Sequence, residues 1–431
     1  MQKFIDKRLQ TNDQMMIVSW RFGLQVITPF TADREGLKRG IASLARLAPA
    51  TDATRKIKRD IQDLYELAQQ GMMGMTWEAA YKQSVDAIDT HSQAMMGEEN
   101  GVLEALRQTE STVAGLEGKK VLVFVGETLP MRPGAELYQY AYNLFWPHLP
   151  PRTLMPMEVM TGVVGQSMPR KIEDVAKSAS ADGVMMYAIG TASDNAEFGA
   201  DNNIVGDPIE ASSRIGNTAS ALNEMAEITG GVAITRTTNF DLAFDTVAHD
   251  LDSYYSLGYR PPNGASTASR KIVVKAKNRA YSIRTRETLV LKSADDQMND
   301  RVVANLYSDG LASTWAISVR TGTPKRDGRT FLIPVEVVMP STLTLLPQDG
   351  SLVGGLVLYA VVGSADGLTS EVMRRPKGLK IPPAAETAIR AKPMTYTTAI
   401  RVKGGESTLS IAVLDQVSGS MGFARTKITA R

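Results

Sequence analysis

Apolar positions change period along this chain, and the changes divide it into elements. From 222 to 262, Leu222, Met225 and Ala226 recur at helical spacing, residues 232–235 form a short apolar run, and Phe240, Phe244, Val247, Ala248 and Leu251 return to helical spacing. That order predicts helix, strand, helix. Gly230 supplies the left-handed residue that ends the first helix, and Asn239 can accept a bond from a first-turn amide of the second. The aromatic, period-two SYYSLGYRPP then predicts a strand leaving this unit for another layer.

Upstream, Phe4, Ile5 and Leu9 pattern as the back half of an amphipathic helix that begins before Met1, so the start reads as truncated. QMMIVSWRFGLQVITPF predicts two strands around Phe22-Gly23, followed by a helix with Leu37, Ile41 and Leu44 on one face. Residues 50–117 are helical in pattern, with Ile57, Ile61, Leu64 and Leu67 as one stripe and Val102, Leu103, Leu106, Val113 and Leu116 as another. Methionines 72, 73, 75, 95 and 96 read as core or interhelix filling rather than a soft-metal surface. VLVFV at 121–125 is apolar on both faces, as a central parallel strand covered by helices should be.

Prolines break up residues 130–169, with ELYQYAYNLFWP as an aromatic helical turn between them. Tyr138, Tyr142, Phe145 and Trp146 are expected to seal that loop onto the domain, a partner-binding patch being the alternative. RKIEDVAKSASADGVMMYAIG predicts helix plus strand. Beyond Tyr254 short strands prevail. KIVVKAK and YSIRTRE suggest a hairpin at Asn278-Arg279, Gly404-Gly405 suggests another, and the run of strands to Arg431 predicts a sandwich.

A resemblance rests on the densest of these motifs. AEITGG at 226–231, Asp250-Leu251 and SYYSLGYRPP at 253–262, with RKIVVKAKNRAYSIRTRE after them and GLEGKKVLVFVGETLP before, resemble the VWFA-related domain proteins of acidobacteria. The resemblance implies a von Willebrand factor A-like α/β domain with a Rossmann-like sheet at 1–253, an Ig-like β-sandwich at 254–431, and a non-enzymatic role. It also implies the strand order 3-2-1-4-5-6, with no counterpart here for the first strand and its Asp-x-Ser-x-Ser loop. A vacancy is therefore expected between 15–20 and 121–125. A strand from upstream of Met1 is the expected filling; an inserted strand and direct pairing of the two are the alternatives.

In the resembled fold, the carboxylate after this strand is the acidic member of a metal-ion-dependent adhesion site. Glu127 and Thr128 occupy that place here, and a hard oxygen ligand suits magnesium or calcium. One carboxylate does not hold such an ion, so the site is expected to be degenerate. Asp194, Asp201, Asn202, Asn203 and Asp207 follow in a Gly-rich loop at the same sheet edge, but their spacing fits no EF-hand.

Charge and composition narrow the partners. With 48 basic and 46 acidic side chains and no basic block, neither nucleic acid nor an anionic membrane is expected as partner. There is no cysteine, and the three histidines, His91, His148 and His249, show no zinc spacing. No apolar run approaches the roughly 20 residues of a membrane span, and the start, MQKFIDKRLQTNDQ, is polar and does not read as a signal peptide. Nucleophile-elbow, Walker, HExxH and GxGxxG motifs are missing from the sequence. The expected function is binding of a protein or extracellular macromolecule through loops at the carboxyl ends of the strands, in a periplasmic or extracellular parent protein. A divalent-metal-assisted hydrolase using Glu127 and Asp194, or an inactive fragment, are the rival readings.

Overall fold

The computed structural model describes residues 1–431 except 11, 22, 46–52, 127–128, 151–166, 192–207, 253, 259–268, 310 and 365–366. Its first helix, α1 (Gln2–Arg8), leads into the hairpin β1 (Met15–Trp20) and β2 (Leu24–Thr31), which α2 (Arg34–Leu44) covers. Ile5, Leu9, Ile17 and Leu37 form the shared core of this piece. Next come α3 (Ala53–Gln69) and the long α4 (Trp77–Ala114). The first half of α4 packs with α3 and α5 (Ala135–Phe145) around Ile61, Ile88, Leu137 and Phe145. Tyr138 and Phe145 are buried in this core and Tyr142 is buried as well, the sealing role expected of them, whereas Trp146 of the same set is 47% exposed.

A parallel sheet forms from β3 (Lys120–Gly126), β4 (Val184–Thr191) and β5 (Ala233–Thr237), in that spatial order. Six of the eight β4 residues are buried, because helices cover both faces. On one face α4, α6 (Ser167–Ala181) and α7 (Pro208–Thr229) bring Leu106, Ile172, Val175, Leu222 and Met225 onto Leu122, Val184 and Met186. On the other, α1 and α8 (Phe240–Asp252) bring Phe4 and Phe244 onto Val123, Ile189 and Ile234.

Downstream, β6 (Arg270–Lys271) and β7 (Thr288–Leu289) pair over two residues each. After them α9 (Ala294–Ala304) precedes two antiparallel sheets. One holds β8 (Ser318–Thr321), β9 (Lys325–Asp327), β10 (Thr330–Met339) and β14 (Met394–Lys403). The other holds β11 (Leu346–Gln348), β12 (Ser351–Ser364), β13 (Met373–Ile381), β15 (Gly405–Asp415) and β16 (Met421–Ala430), with the short helix α10 (Glu386–Arg390) between β13 and β14. Val335, Val337 and Ile400 of the first sheet share a core with Leu356, Leu358 and Ile411 of the second. The second sheet's other face takes Met298 and Val302 of α9.

Several expectations are corrected. Strand β3 is at the edge of its sheet, not central; apolarity on both faces reports cover by helices and says nothing about which strands flank it. Residues 254–258 and 272–287 lie in no strand, so the aromatic run and the hairpin arms are irregular apart from β6 and β7; residues 259–262 lie outside the described residues. Gly404-Gly405 is no hairpin turn: β14 pairs with β10 and β15 with β12, so the chain changes sheets there. Met72 and Met73 are exposed rather than core, Met73 at 93%, since the turn after α3 carries them outward. Direct pairing of 15–20 with 121–125, the alternative to a filling strand, is not seen among the described residues: the two strands belong to separate sheets.

Candidate functional site

Glu127 and Thr128 follow β3 directly in the chain and lie outside the described residues, as do Asp194, Asp201, Asn202, Asn203 and Asp207. Leu129 is fully buried. Asn217 on α7 holds the chain after β3 by accepting from Arg132 N and donating to Arg132 O, each at 2.8 Å. Thr191 closes β4 with its hydroxyl buried and without a partner among the described residues. Asp241, at the head of α8, is paired with Lys3, and that bond draws its carboxyl below the usual range. Among the described residues no three His, Asp or Glu side chains are placed to hold a metal ion. His148 is stacked on Trp77 with ring centroids 4.0 Å apart, while His91 and His249 belong to α4 and α8.

The motif at 226–231 is built into the packing. Thr229 Oγ1 donates to Met225 O at 2.8 Å and accepts from Met186 N at 3.0 Å, tying the end of α7 to β4. Gly230 sits at φ +81°, and a Cβ on it would come within 2.7 Å of the Thr285 carbonyl carbon; a Cβ on Gly231 would run into the Met186 carbonyl oxygen. Both glycines permit close backbone approach, which explains why the pair occurs here. Asp250, in the last turn of α8, accepts from Arg284 and from the Tyr187 hydroxyl, the latter at 3.2 Å. Partial burial pushes its carboxyl up, yet these donors outweigh it and hold Asp250 below the usual carboxylate range.

Beyond this anchor the chain turns apolar side chains outward. Tyr255 is 95% exposed, and Tyr254, Leu257, Val273 and Tyr281 are exposed with it. Lys119 lies over the Tyr254 ring at 4.0 Å and donates to the Asp250 carbonyl at 3.4 Å. The segment returns to the α/β unit where Glu287 N donates to Ile228 O at 3.1 Å and Thr288 N to Ser180 Oγ at 3.2 Å. Period-two aromatics pointed to a strand, and the exposed surface they form was missed for that reason.

A second cluster, also missed, lies at the amino end of β3. Burial pushes the Glu110 carboxyl up to about 8, a hydrogen bond from Ser178 opposes this, and Asp182 beside it adds to the rise. Lys292 reaches Asp182 and Asp300 at 2.6 Å each. Burial alone would lower the Lys292 ammonium, but the two carboxylates outweigh it and raise it. The group joins α4, α6 and α9, and sets the raised Glu110 carboxyl beside the ion pairs that Lys292 makes with Asp182 and Asp300. Glu110 shares the apolar stripe of Leu106 and Val113, which was the signal available in the sequence. Glu99, also on α4, is buried and pushed up to about 8 by burial and by Glu98.

No family model and no curated protein matches this chain. Among solved structures, a β-glucuronidase of Bacteroides uniformis is 8% identical over 26% of this chain and 13% of its own, with a TM-score of 0.19. A protein from Archaeoglobus fulgidus is 9% identical over 27% of this chain and 96% of its own, at 0.16. A β-glucosidase of Kluyveromyces marxianus is 13% identical over 76% of this chain and 33% of its own, at 0.15. Likenesses this slight leave fold family and chemistry to be argued from the residues themselves.

Proposed function

We propose that the chain is a non-enzymatic protein-binding module, with a von Willebrand factor A-like unit over 1–253 and a β-sandwich over 254–431, in a periplasmic or extracellular parent protein. The observation that carries the binding role is the outward-facing set Tyr254, Tyr255 and Leu257, continued by Val273 and Tyr281. Large exposed aromatics grouped on one segment are costly to leave wet, and tyrosine is enriched among interface anchors. The partner is a protein or extracellular macromolecule with an apolar, hydrogen-bonding surface. Loops at the carboxyl edge of the parallel sheet, which include Glu127 and Thr128, form the second part of the proposed surface, and a magnesium or calcium ion there is not required by this reading.

The test is affinity capture from extracts of the native host, comparing the parent chain with a Tyr254→Ser, Tyr255→Ser, Leu257→Ser variant. The variant should stay folded with a Tm close to the parent's, because these side chains are mostly exposed and the Lys119 contact over the Tyr254 ring is the one described interaction it removes. A partner retained by the parent and released by the variant is the expected result. Equal retention by both, or chemical turnover of the retained molecule, would overturn the proposal.

A further inference from the structure

The near-neutral balance of the whole chain conceals one stretch where it fails. Residues 253–286 hold eight Lys and Arg and no Asp or Glu, while the rest of the chain has 40 basic and 46 acidic side chains. Seven of the eight cations fall between Arg270 and Arg286, which makes this a basic block that the overall count hides.

The chain at 270–289 keeps the register of a hairpin although most of it carries no ladder. Arg270 pairs with Leu289 and Lys271 with Thr288, Ile272 N donates to Glu287 O at 2.8 Å, and Tyr281 N donates to Asn278 O at 3.3 Å across the turn. Its second arm is held on the α/β unit. Asp250 takes Arg284, Ile228 O takes Glu287 N, and the Arg286 guanidinium lies where a Cβ on Gly183 would come within 2.9 Å of it. The first arm is turned to solvent. Lys271, Val273, Lys275 and Lys277 are exposed while Ile272, Val274 and Ala276 are half-buried, the period-two alternation of extended chain. Arg279 in the turn is exposed as well. Among the described residues none of Lys271, Lys275, Lys277 and Arg279 forms an ion pair.

Like charges left unneutralised repel one another and contribute nothing to the fold; what they supply is attraction for a negative surface. The side chains among them select its kind. Val273, Tyr281 and Ile283 are exposed between the cations, and Asp250 draws Tyr254 to the same place, since its carboxylate takes Arg284 and its carbonyl takes Lys119, which lies over the Tyr254 ring. Exposed aliphatic side chains have nothing to match on a phosphate backbone, which cations alone would serve. The turn is Asn278-Arg279, preceded by Lys277, and such groups do not enter an acyl layer. A protein segment that carries both carboxylates and apolar side chains matches both sets.

We propose that the hairpin at 270–289 docks an acidic segment of a partner protein, whose Asp or Glu side chains meet Lys271, Lys275, Lys277 and Arg279 while its apolar side chains meet Val273, Tyr254 and Tyr281. This rests on the protein-binding reading above and adds the sign and pattern of the partner.

The test uses a fluorescent peptide of alternating Glu and Val, as long as the arm 271–277, with an alternating Lys and Val peptide, oligo-dT and phosphatidylserine vesicles as rivals. Binding is read by anisotropy for the parent chain and for a variant carrying Lys271→Glu, Lys275→Glu, Lys277→Glu and Arg279→Glu. The parent should bind the Glu peptide, with Kd rising about tenfold or more between about 50 mM and about 300 mM NaCl. The variant should lose the Glu peptide and take the Lys peptide instead, a gain that an unfolded chain would not show. The proposal is overturned if the parent ignores the Glu peptide, if the variant binds it as the parent does or fails to gain the Lys peptide, or if oligo-dT or the vesicles bind more tightly than the peptide. Tyr254, Tyr255 and Leu257 stay in place in this variant. A host protein released by their serine variant but kept by the glutamate variant would therefore leave the binding role standing and remove the hairpin from it.

Discussion

Single positions in this chain carry effects that their residue type alone does not announce. Gly231 lies so close to the Met186 carbonyl that Gly231→Ala should cost roughly 2–3 kcal/mol, the scale of overpacking a tight site. Gly216, exposed in α7 with open space around its Cα, should behave oppositely, with Gly216→Ala adding roughly 0.5–1 kcal/mol. Chemical denaturation of the two variants checks both signs. Glu99 makes the pH prediction. Its folded carboxyl is raised to about 8 from 4.5, so the native state holds a proton that the unfolded chain has lost. Stability must then fall as pH rises from about 4.5 to about 8 and level off above that. Glu99→Gln should flatten this slope, read as Tm against pH, and should be the more stable protein at pH 8.

At the scale of elements, Asp250 decides where irregular chain is held. It ties the end of α8 to Arg284 and Tyr187, while 272–287 has no ladder of its own. Asp250→Asn removes the charge from a partly buried pair, and roughly 1–2 kcal/mol of local stability should go with it. Amide exchange should speed up at 284–289 and stay unchanged in β12 and β15. Equal acceleration in both places would mean that Asp250 supports the whole molecule rather than this segment. The elements themselves were largely legible: helices α2, α4, α7 and α8 and strands β10, β12, β14, β15 and β16 follow the apolar periods of the chain. Strand β13 was not, because MRRPKGLKI carries no period-two apolar pattern; its edge position tolerates Pro376 and its ladder to β12 needs no apolar side chains.

For the molecule as a whole, Lys292 joins its two parts. It bonds Asp182 beyond α6 and Asp300 on α9, and α9 in turn packs on the second antiparallel sheet. Lys292→Met takes one cation from two half-buried carboxylates and leaves them Lys120 alone, which should cost about 1–3 kcal/mol, below the scale of a fully buried pair. Burial holds the Asp300 and Glu110 carboxyls above their usual range, so they can take up protons in compensation at low pH, and the loss should be larger at pH 8 than at pH 5. Calorimetry should show the single transition of the parent splitting in two, with the antiparallel sheets melting apart from the α/β unit.

Local chemistry by itself determined which stretches are helix or strand and where the chain turns, because periods of 3.6 and 2, Gly230 and the Asn239 cap act over a few residues. Asn239 does accept from Leu242 N, at 3.1 Å. Tertiary structure decided who pairs with whom. Gly404-Gly405 joins two period-two runs that lie in different sheets, and β3 has the composition of a central strand at an edge, because strand neighbours are set by segments far away in sequence. It also decided which groups carry unusual charge. Glu110, Asp182, Lys292 and Asp300 span 190 residues of chain by their numbering and become one cluster only when α4, α6 and α9 close over them, since desolvation depends on what folds around a group and not on its neighbours in sequence.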